Sequence, residues 1–235
     1  MSKSHRVRAG GTGLVASAAL RAAAVVLVAA GAAVPAGCNV AGPALLLAHG
    51  PPKLPREYQL DKEKKTVILV DDFDSRLPKR RLGTIIADKA QKDVANKGLV
   101  KELISAESAM ALARSETSDD RRTIPQIGRD VGADVVIWCG VEVFSLTSDG
   151  QSFSPTARLR IKVIDVATDS RVWPAEERHY TLVVQPAPDT AEAPATTTAL
   201  DKAQAELADF CGRAIAELFY EPETARAARL GRKAL

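Results

Sequence analysis

The order of apolar and polar positions between residues 64 and 219 predicts strands that alternate with helices. Thr66–Val70 is a short continuous apolar and β-branched run, which is typical of a strand buried on both faces. Val135–Phe144 is the most hydrophobic run, and we expect it at the centre of the sheet. Leu99–Ile104 is a further strand candidate. The expected fold class is therefore α/β, a single compact mixed sheet with helices packed on it.

Apolar residues at helical spacing predict three helices between these strands. The apolar positions are Leu82, Ile85, Ile86, Ala90 and Val94 in the first, Ala106, Ala109, Met110 and Ala113 in the second, and Ile124, Ile127 and Val131 in the third. Gly98 is the stop signal of the first helix. Thr123 is a good N-cap for the third, and Gly132 closes it in a left-handed conformation.

A fourth helix is predicted after the low-complexity segment 185–199, which we expect to be a loop. Thr198 and Asp201 form a start that resembles a capping box. The apolar stripe of this helix consists of Leu200, Ala203, Leu207, Phe210, Cys211, Ala214 and Leu218. Such a stripe must be buried, so the helix should pack on the sheet.

The segment Ala157–Val163 alternates strictly between apolar and basic residues. Its apolar members are Ala157, Leu159, Ile161 and Val163, and its basic members are Arg158, Arg160 and Lys162. Period 2 predicts a strand with one face on the core and the other in solvent. After turn residues at 165–170, the chain returns in strands at Arg171–Trp173 and His179–Val184. The basic face is either an ordinary solvated face or a contact site for an acidic partner through Arg158, Arg160 and Arg171.

The N-terminus has the three parts of a secretory signal peptide over residues 1–37. Lys3, Arg6, Arg8 and Arg21 form a basic region without acids, and thirteen apolar or Gly residues follow at 22–34. Small residues then precede Cys38. Thirteen residues are too few to cross a bilayer, which needs roughly 20. The alternatives are a lipoprotein signal cut before Cys38, an ordinary cleaved signal and a retained signal anchor.

Composition and charge limit the function classes of the exported part. The formal charge of +3 includes the four cations of the signal, so the mature part is close to neutral. This balance argues against nucleic-acid binding, which needs clustered Lys and Arg. Residues 38–63 are rich in Pro and Gly and predict a tether, whereas 220–235 form a basic tail.

Cysteine and histidine give no sign of a cofactor or metal. Cys139 lies in the central strand pattern and Cys211 on a helix face, which favours small core residues over a disulfide between them. His49 and His179 stand alone, so no metal-ligand spacing exists. We expect no bound cofactor and no metal.

Two motifs resemble an envelope superfamily. Residues 127–141 resemble its helix–Gly-Ala-Asp–strand unit, with Gly132, Ala133 and Asp134 at the join. The segment Ala157–Trp173 is similar to its hairpin, although the family usually has Gly where Asp169 stands here. The superfamily includes the amino-terminal domain of the Tol system's periplasmic propeller protein, the curli-secretion channel lipoprotein and the lipoprotein activators of penicillin-binding proteins. No long apolar alternating hairpin is present, so a pore is not expected.

The N-terminus also resembles the bacterial lipobox, with Pro35 where Leu is usual. That resemblance implies acylation of Cys38 and cleavage before it. The expected localisation is the cell envelope, with the protein facing the periplasm or the exterior. Asn39 permits delivery to the outer membrane under the enterobacterial rule.

An enzyme reading rests on Asp72-Phe73-Asp74 after the first strand, which resembles haloacid-dehalogenase-like phosphatases. That resemblance implies magnesium-dependent phosphate hydrolysis with Asp72 as nucleophile. The central strand ends without the further acidic pair that this chemistry needs, so we expect a non-enzyme. The favoured function is an exported, lipid-anchored accessory protein that binds another envelope component. The alternative is a structural lipoprotein that self-associates.

Overall fold

The structure is a computed structural model that describes residues 53–114, 122–147, 152–187 and 193–223. Within these ranges six strands and four helices form one α/β domain. In chain order they are β1 (Thr66–Asp71), α1 (Arg81–Asn96), β2 (Leu103–Ile104), α2 (Ala106–Arg114), α3 (Ile124–Asp130), β3 (Val135–Thr147), β4 (Phe153–Asp165), β5 (Ser170–Trp173), β6 (Tyr180–Val184) and α4 (Thr197–Ala216).

The six strands form one mixed sheet in the order β2-β1-β3-β4-β5, and β6 also pairs with β4. β1 is parallel to β2 and to β3. β3, β5 and β6 are each antiparallel to β4. The predicted fold class is therefore confirmed. The run Val135–Phe144 lies within β3 at the centre of the sheet, as predicted.

The alternation in β4 separates the two faces of the sheet. Ala157, Leu159, Ile161 and Val163 are at most 1% exposed, and they lie on the face that contacts α4. α1 covers the same face at β1, where Gly83 lies against Val70. We call this face, which α1 and α4 cover, the helix-covered face. α3 packs on the opposite face, where a Cβ at Gly128 would lie 2.8 Å from a methyl of Val136.

The N-cap Thr123 and the two glycines that end helices agree with the sequence analysis, and the structure adds a capping box at the start of α3. Thr123 accepts from the backbone N–H of Gln126, whose side chain accepts from the Thr123 N–H. Gly132 has φ +76° and Gly98 has φ +58°, so both helix ends adopt the left-handed conformation that Gly accepts at the lowest cost.

α4 begins earlier than predicted. Its N-cap is Thr196, whose side chain accepts from the Ala199 N–H at 3.2 Å, so the predicted cap Thr198 lies inside the helix. The physical reason is that Thr196 has the extended backbone an N-cap requires. Leu200 is 38% exposed and lies outside the buried stripe, whereas Ala203, Leu207, Cys211, Ala214 and Leu218 are buried. The helix contacts β4 and β6, as predicted, and packs closely on α1.

β2 is shorter than the predicted strand Leu99–Ile104. The Leu99 N–H donates to the Val94 carbonyl and the Lys101 N–H donates to the Lys62 carbonyl. The first half of the run is thus bonded to the end of α1 and to the segment before β1. The strand pairing with β1 is limited to Leu103 and Ile104, with one further bond from the Thr66 N–H to the Glu102 carbonyl.

Packing against the domain begins inside the segment predicted as a tether. Leu54 and Leu60 are each 7% exposed, and the Leu54 N–H donates to the Pro222 carbonyl. The Tyr58 ring lies 6.0 Å from the Trp173 ring, centroid to centroid. The packed chain therefore extends past both predicted limits, 64 and 219. The predicted signal peptide, Cys38 and the tail beyond 223 lie outside the described residues.

Cys139 and Cys211 are both buried and unbonded. Burial raises the pKa of both thiols, so they are packed as small apolar side chains. Among the helices that the structure describes, none is long and apolar enough to cross a membrane.

Candidate functional site: a basic sheet face beside a cleft

Four cations lie on the sheet face opposite the helix-covered face. Arg158, Arg160 and Lys162 alternate with the buried residues of β4, and Arg171 of β5 pairs with Ile164 of the same face. We call these four residues the basic sheet face. Arg158 and Arg171 are exposed, and Arg160 and Lys162 are half-buried. None of the four forms an ion pair within the described residues.

Trp138 forms a platform beneath two of these cations. Lys162 Nζ lies 4.8 Å from the centroid of its ring, and the Arg160 guanidinium carbon lies 6.0 Å away. Lys162 is directly opposite Trp138 in the register of β3 and β4. Cation–π attraction therefore holds the two side chains along the sheet. Trp138 itself is only 8% exposed.

The indole can lie flat because the next residue on its face is Gly140. A Cβ at Gly140 would be 2.7 Å from Trp138 Cζ2, so a larger residue there would displace the ring. The indole Nε1 donates to Asp71 Oδ2 at 3.1 Å. Asp71 is opposite Gly140 in the neighbouring strand, so the ring spans the space above the glycine.

Like charges are crowded around Lys162. Burial first, and then the neighbouring Arg171, Arg160 and Arg178, lower the pKa of Lys162. Arg160 Nε is buried and has no hydrogen-bond partner within the described residues. Arg171 donates to the Arg178 carbonyl at 2.8 Å, which holds it along the loop between β5 and β6. An anion on this surface would relieve the repulsion among the cations.

A cleft of about 520 Å³ lies between the basic sheet face and α3. Its apolar lining includes Leu69, Ile127 and Ile164. Its charged lining is Asp71, Arg122, Lys162, Asp169 and Arg171. Two of these charges are paired, since Arg122 contacts Asp130 at 3.0 Å and Asp169 contacts Arg129 at 2.5 Å. The other two cations of the lining, Lys162 and Arg171, form no ion pair with any residue that the structure describes, and both belong to the basic sheet face.

The structure brings the three predicted contact residues, Arg158, Arg160 and Arg171, onto one surface. It adds Lys162, which sequence analysis placed on the same face but outside the candidate set. It also adds Trp138, which sequence analysis did not select. The available signal was the spacing of Trp138 and Gly140, because residues two apart in a strand share a face. Cys38 lies outside the described residues.

Asp72 of the phosphatase reading is engaged by the backbone after β1. Its Oδ1 accepts from the Arg76 N–H at 2.6 Å, and its Oδ2 accepts from the Leu77 N–H at 3.1 Å. The carboxylate thus holds the turn, while Asp74 is exposed. The described parts of the chain contain no group of three or more His, Cys, Asp or Glu side chains placed to hold a metal ion.

No protein-family model matches the chain, and no curated protein has a significant match. Solved structures do match. The PelC dodecamer from Paraburkholderia phytofirmans is 12% identical, with a TM-score of 0.40, over 70% of this chain and 93% of that one. Lipoprotein GNA1162 from Neisseria meningitidis is 9% identical, with a TM-score of 0.38, over 61% and 96%. LpoB from E. coli is 20% identical, with a TM-score of 0.35, over 54% and 59%. Of these three proteins, GNA1162 is described as a lipoprotein.

Proposed function

We propose that this chain is an exported, lipid-anchored accessory protein that docks on another envelope component through the basic sheet face. In this proposal the domain binds and does not catalyse. The lipid on Cys38 holds it at a membrane, the outer membrane being favoured by Asn39. The α/β domain then presents its cations to an acidic surface of the partner.

The proposal rests on the charge and the order of the basic sheet face. Arg158, Arg160, Lys162 and Arg171 lie together without an acidic partner within the described residues, and Trp138 holds two of them in place. A set of cations ordered in advance loses less entropy on binding than free surface side chains do. Charge complementarity of this kind gives specificity and speeds association.

Reversal of the exposed charges tests the docking surface. Arg158→Glu with Arg171→Glu should abolish chemical cross-linking to a different envelope protein in the native host. The matched control is Lys92→Glu with Lys202→Glu, which changes the same charge at exposed positions on α1 and α4. The control should cross-link as the unaltered chain does, and circular dichroism should show both variants folded. Cross-linking that survives the first pair of substitutions would contradict docking at this face.

The anchor is tested separately. Radiolabelled palmitate should label the unaltered chain, and Cys38→Ala should abolish the label because no thiol remains to be acylated. The chain should also partition into detergent in a manner that depends on Cys38. Equal labelling of the two chains would contradict the lipid anchor and leave the docking surface to be judged by cross-linking.

Self-association is the second candidate function. The sheet edge formed by β5 and β6 carries Val172 and Val183, which are 38% and 39% exposed. Exposed apolar residues on an edge strand favour pairing with another strand. Under this function the purified chain alone should show a mass that rises with concentration, and cross-linking should recover only the chain itself.

A further inference from the structure

The cleft beside the basic sheet face has a lining suited to a specific chemistry. Leu69, Ile127 and Ile164 provide an apolar lining, and Lys162 and Arg171 provide cations that have no acidic partner within the described residues. A volume of about 520 Å³ is within the range of pockets that bind small ligands or one or two large side chains.

We propose that the cleft binds an acidic peptide segment of the partner, with an apolar side chain inserted against Ile127 and Ile164. Carboxylates that flank this side chain lie on Lys162 and Arg171. The inference rests on the proposed docking function and deepens it, because it names the chemistry of the segment that docks.

Charge complementarity identifies the occupant as an anion. Lys162 has Arg160, Arg171 and Arg178 as neighbours, and each repels it. A carboxylate between Lys162 and Arg171, which both line the cleft, would accept hydrogen bonds and reduce the repulsion at the same time.

The mixed lining favours a peptide over a membrane surface. Asp71 and Asp169 also line the cleft, and they would repel a continuous layer of anionic lipid headgroups. A peptide can place its carboxylates on the cations and keep other groups near the two aspartates. An apolar side chain can also enter the cleft, whereas a flat bilayer surface cannot fill it.

Site-specific photo-crosslinking in the native host tests the inference. The full-length chain carries p-benzoylphenylalanine in place of Arg122 at the cleft, Arg158 on the basic sheet face, or Lys92 on α1, and mass spectrometry identifies each adduct. We expect positions 122 and 158 to capture the same protein and Lys92 to capture none. The peptide joined at position 122 should contain Asp or Glu beside an aliphatic or aromatic residue.

The outcomes separate failure of the cleft from failure of docking. Capture at position 158 alone, or a captured peptide without carboxylates at position 122, would overturn the inference and leave the docking function standing. A lipid adduct at position 122 would overturn it in favour of a membrane surface. Absence of any protein adduct at both positions would refute docking itself.

Binding of the captured sequence as a synthetic peptide supplies the second measurement. Its fluorescence anisotropy is followed with the full-length chain in detergent. Lys162→Gln and Arg171→Gln, each singly, should weaken binding about tenfold, whereas Lys92→Gln should not change it. Exchange of the apolar peptide residue for Ser should weaken binding by a similar factor. Unchanged affinity in Lys162→Gln and Arg171→Gln would overturn the inference even if the peptide binds.

Discussion

Asp165, at the end of β4, is held in its ionised form by three hydrogen bonds. Lys64 Nζ donates to it at 2.5 Å, and the backbone N–H and hydroxyl of Thr168 each donate at 3.0 Å. The residue is only 6% exposed. The hydrogen bond from Lys64, followed by that from the Thr168 backbone, lowers the pKa of Asp165 to about 2. The ionised carboxylate therefore fixes the turn between β4 and β5.

Asp165→Asn should lower the free energy of unfolding at pH 7 by about 1–2 kcal/mol. This value is smaller than the pKa shift alone would give, because solvent screens the partly exposed Lys64. The pKa is lower in the folded state, so the stabilisation is complete above the unfolded value and is lost as pH falls. In the unaltered chain that loss should occur between about pH 4 and about pH 2.

Urea unfolding at a series of pH values measures this effect. Asp165→Asn should show a smaller decrease in stability across that interval than the unaltered chain. Asp88→Asn, at an exposed position of α1, should retain the decrease. Identical pH profiles for Asp165→Asn and the unaltered chain would refute the role given to the carboxylate.

The turn at Asp169 shows how much of the local structure a single residue position predicts. The superfamily that the hairpin resembles usually has Gly at this position, and Asp169 has φ +53°, in the left-handed region that Gly adopts without cost. Asp tolerates this conformation better than most residues, and its carboxylate contacts Arg129. The turn was therefore predictable from residue types, but the contact with Arg129 was not, because it joins α3 to the turn across 40 positions of sequence.

The contact between α1 and α4 depends on one glycine. A Cβ at Gly212 would lie 2.6 Å from the Ile86 carbonyl oxygen and 2.6 Å from Lys89 Cβ. One of these atoms belongs to the backbone of α1, so the clash cannot be relieved by rotation of a side chain. The two helices must separate to admit a methyl group, and their shared layer over the sheet would lose packing.

Gly212→Ala should therefore destabilise the domain by about 1–3 kcal/mol, although Ala is the better helix former. Gly83→Ala in α1 is the matched control. Its Cβ would meet Leu77 at 3.5 Å and Val70 at 3.8 Å, which are ordinary contacts. The control should leave stability unchanged or raise it by up to about 1 kcal/mol. Thermal and urea unfolding measure both, and a stable Gly212→Ala would show that the helices can move apart freely.

The helices and strands whose signals lie in a few adjacent residues were predicted well. The start of α4 and the length of β2 were not, because each depends on which of several possible hydrogen bonds is made. The capping residues of α3 and the alternation of β4 are properties of a few adjacent side chains. The start of α4 was misplaced because Thr196, Thr197 and Thr198 are chemically equal as caps. β2 was predicted too long because the Leu99 N–H bonds back to Val94 at the end of α1 and the Lys101 N–H bonds to Lys62, before β1. Sequence periodicity does not reveal such partners.

At the scale of the whole molecule, the basic sheet face could be predicted from the sequence, but the position of Trp138 beneath it and the cleft beside it could not. Arg158, Arg160 and Lys162 share a face by parity alone. The position of Trp138 beneath Lys162 depends on the register between β3 and β4, which only the assembled sheet defines. The cleft depends in addition on α3, which packs beside that face through Gly128.

Residues near the two ends of the described chain pack against each other. The Glu57 and Tyr58 N–H groups both donate to the Leu218 carbonyl, at 2.8 and 3.2 Å. Trp173 contacts Tyr58 and also stacks on Tyr180, with ring centroids 4.9 Å apart. Residues 53–63 therefore belong to the packed domain, together with residues 220–223.

A fragment of residues 64–219 should consequently be less stable than a fragment of residues 53–223. Burial of Leu54 and Leu60 contributes about 1.5–3 kcal/mol each, so we expect a deficit of several kcal/mol in the free energy of unfolding. Leu60→Ala within the longer fragment should account for about 2–3 kcal/mol of it, and Gln59→Ala, at an exposed neighbour, for almost none. Urea unfolding followed by tryptophan fluorescence reports all four proteins, since Trp173 lies at the junction. Equal stability of the two fragments would show that residues 53–63 rest on the domain without supporting it.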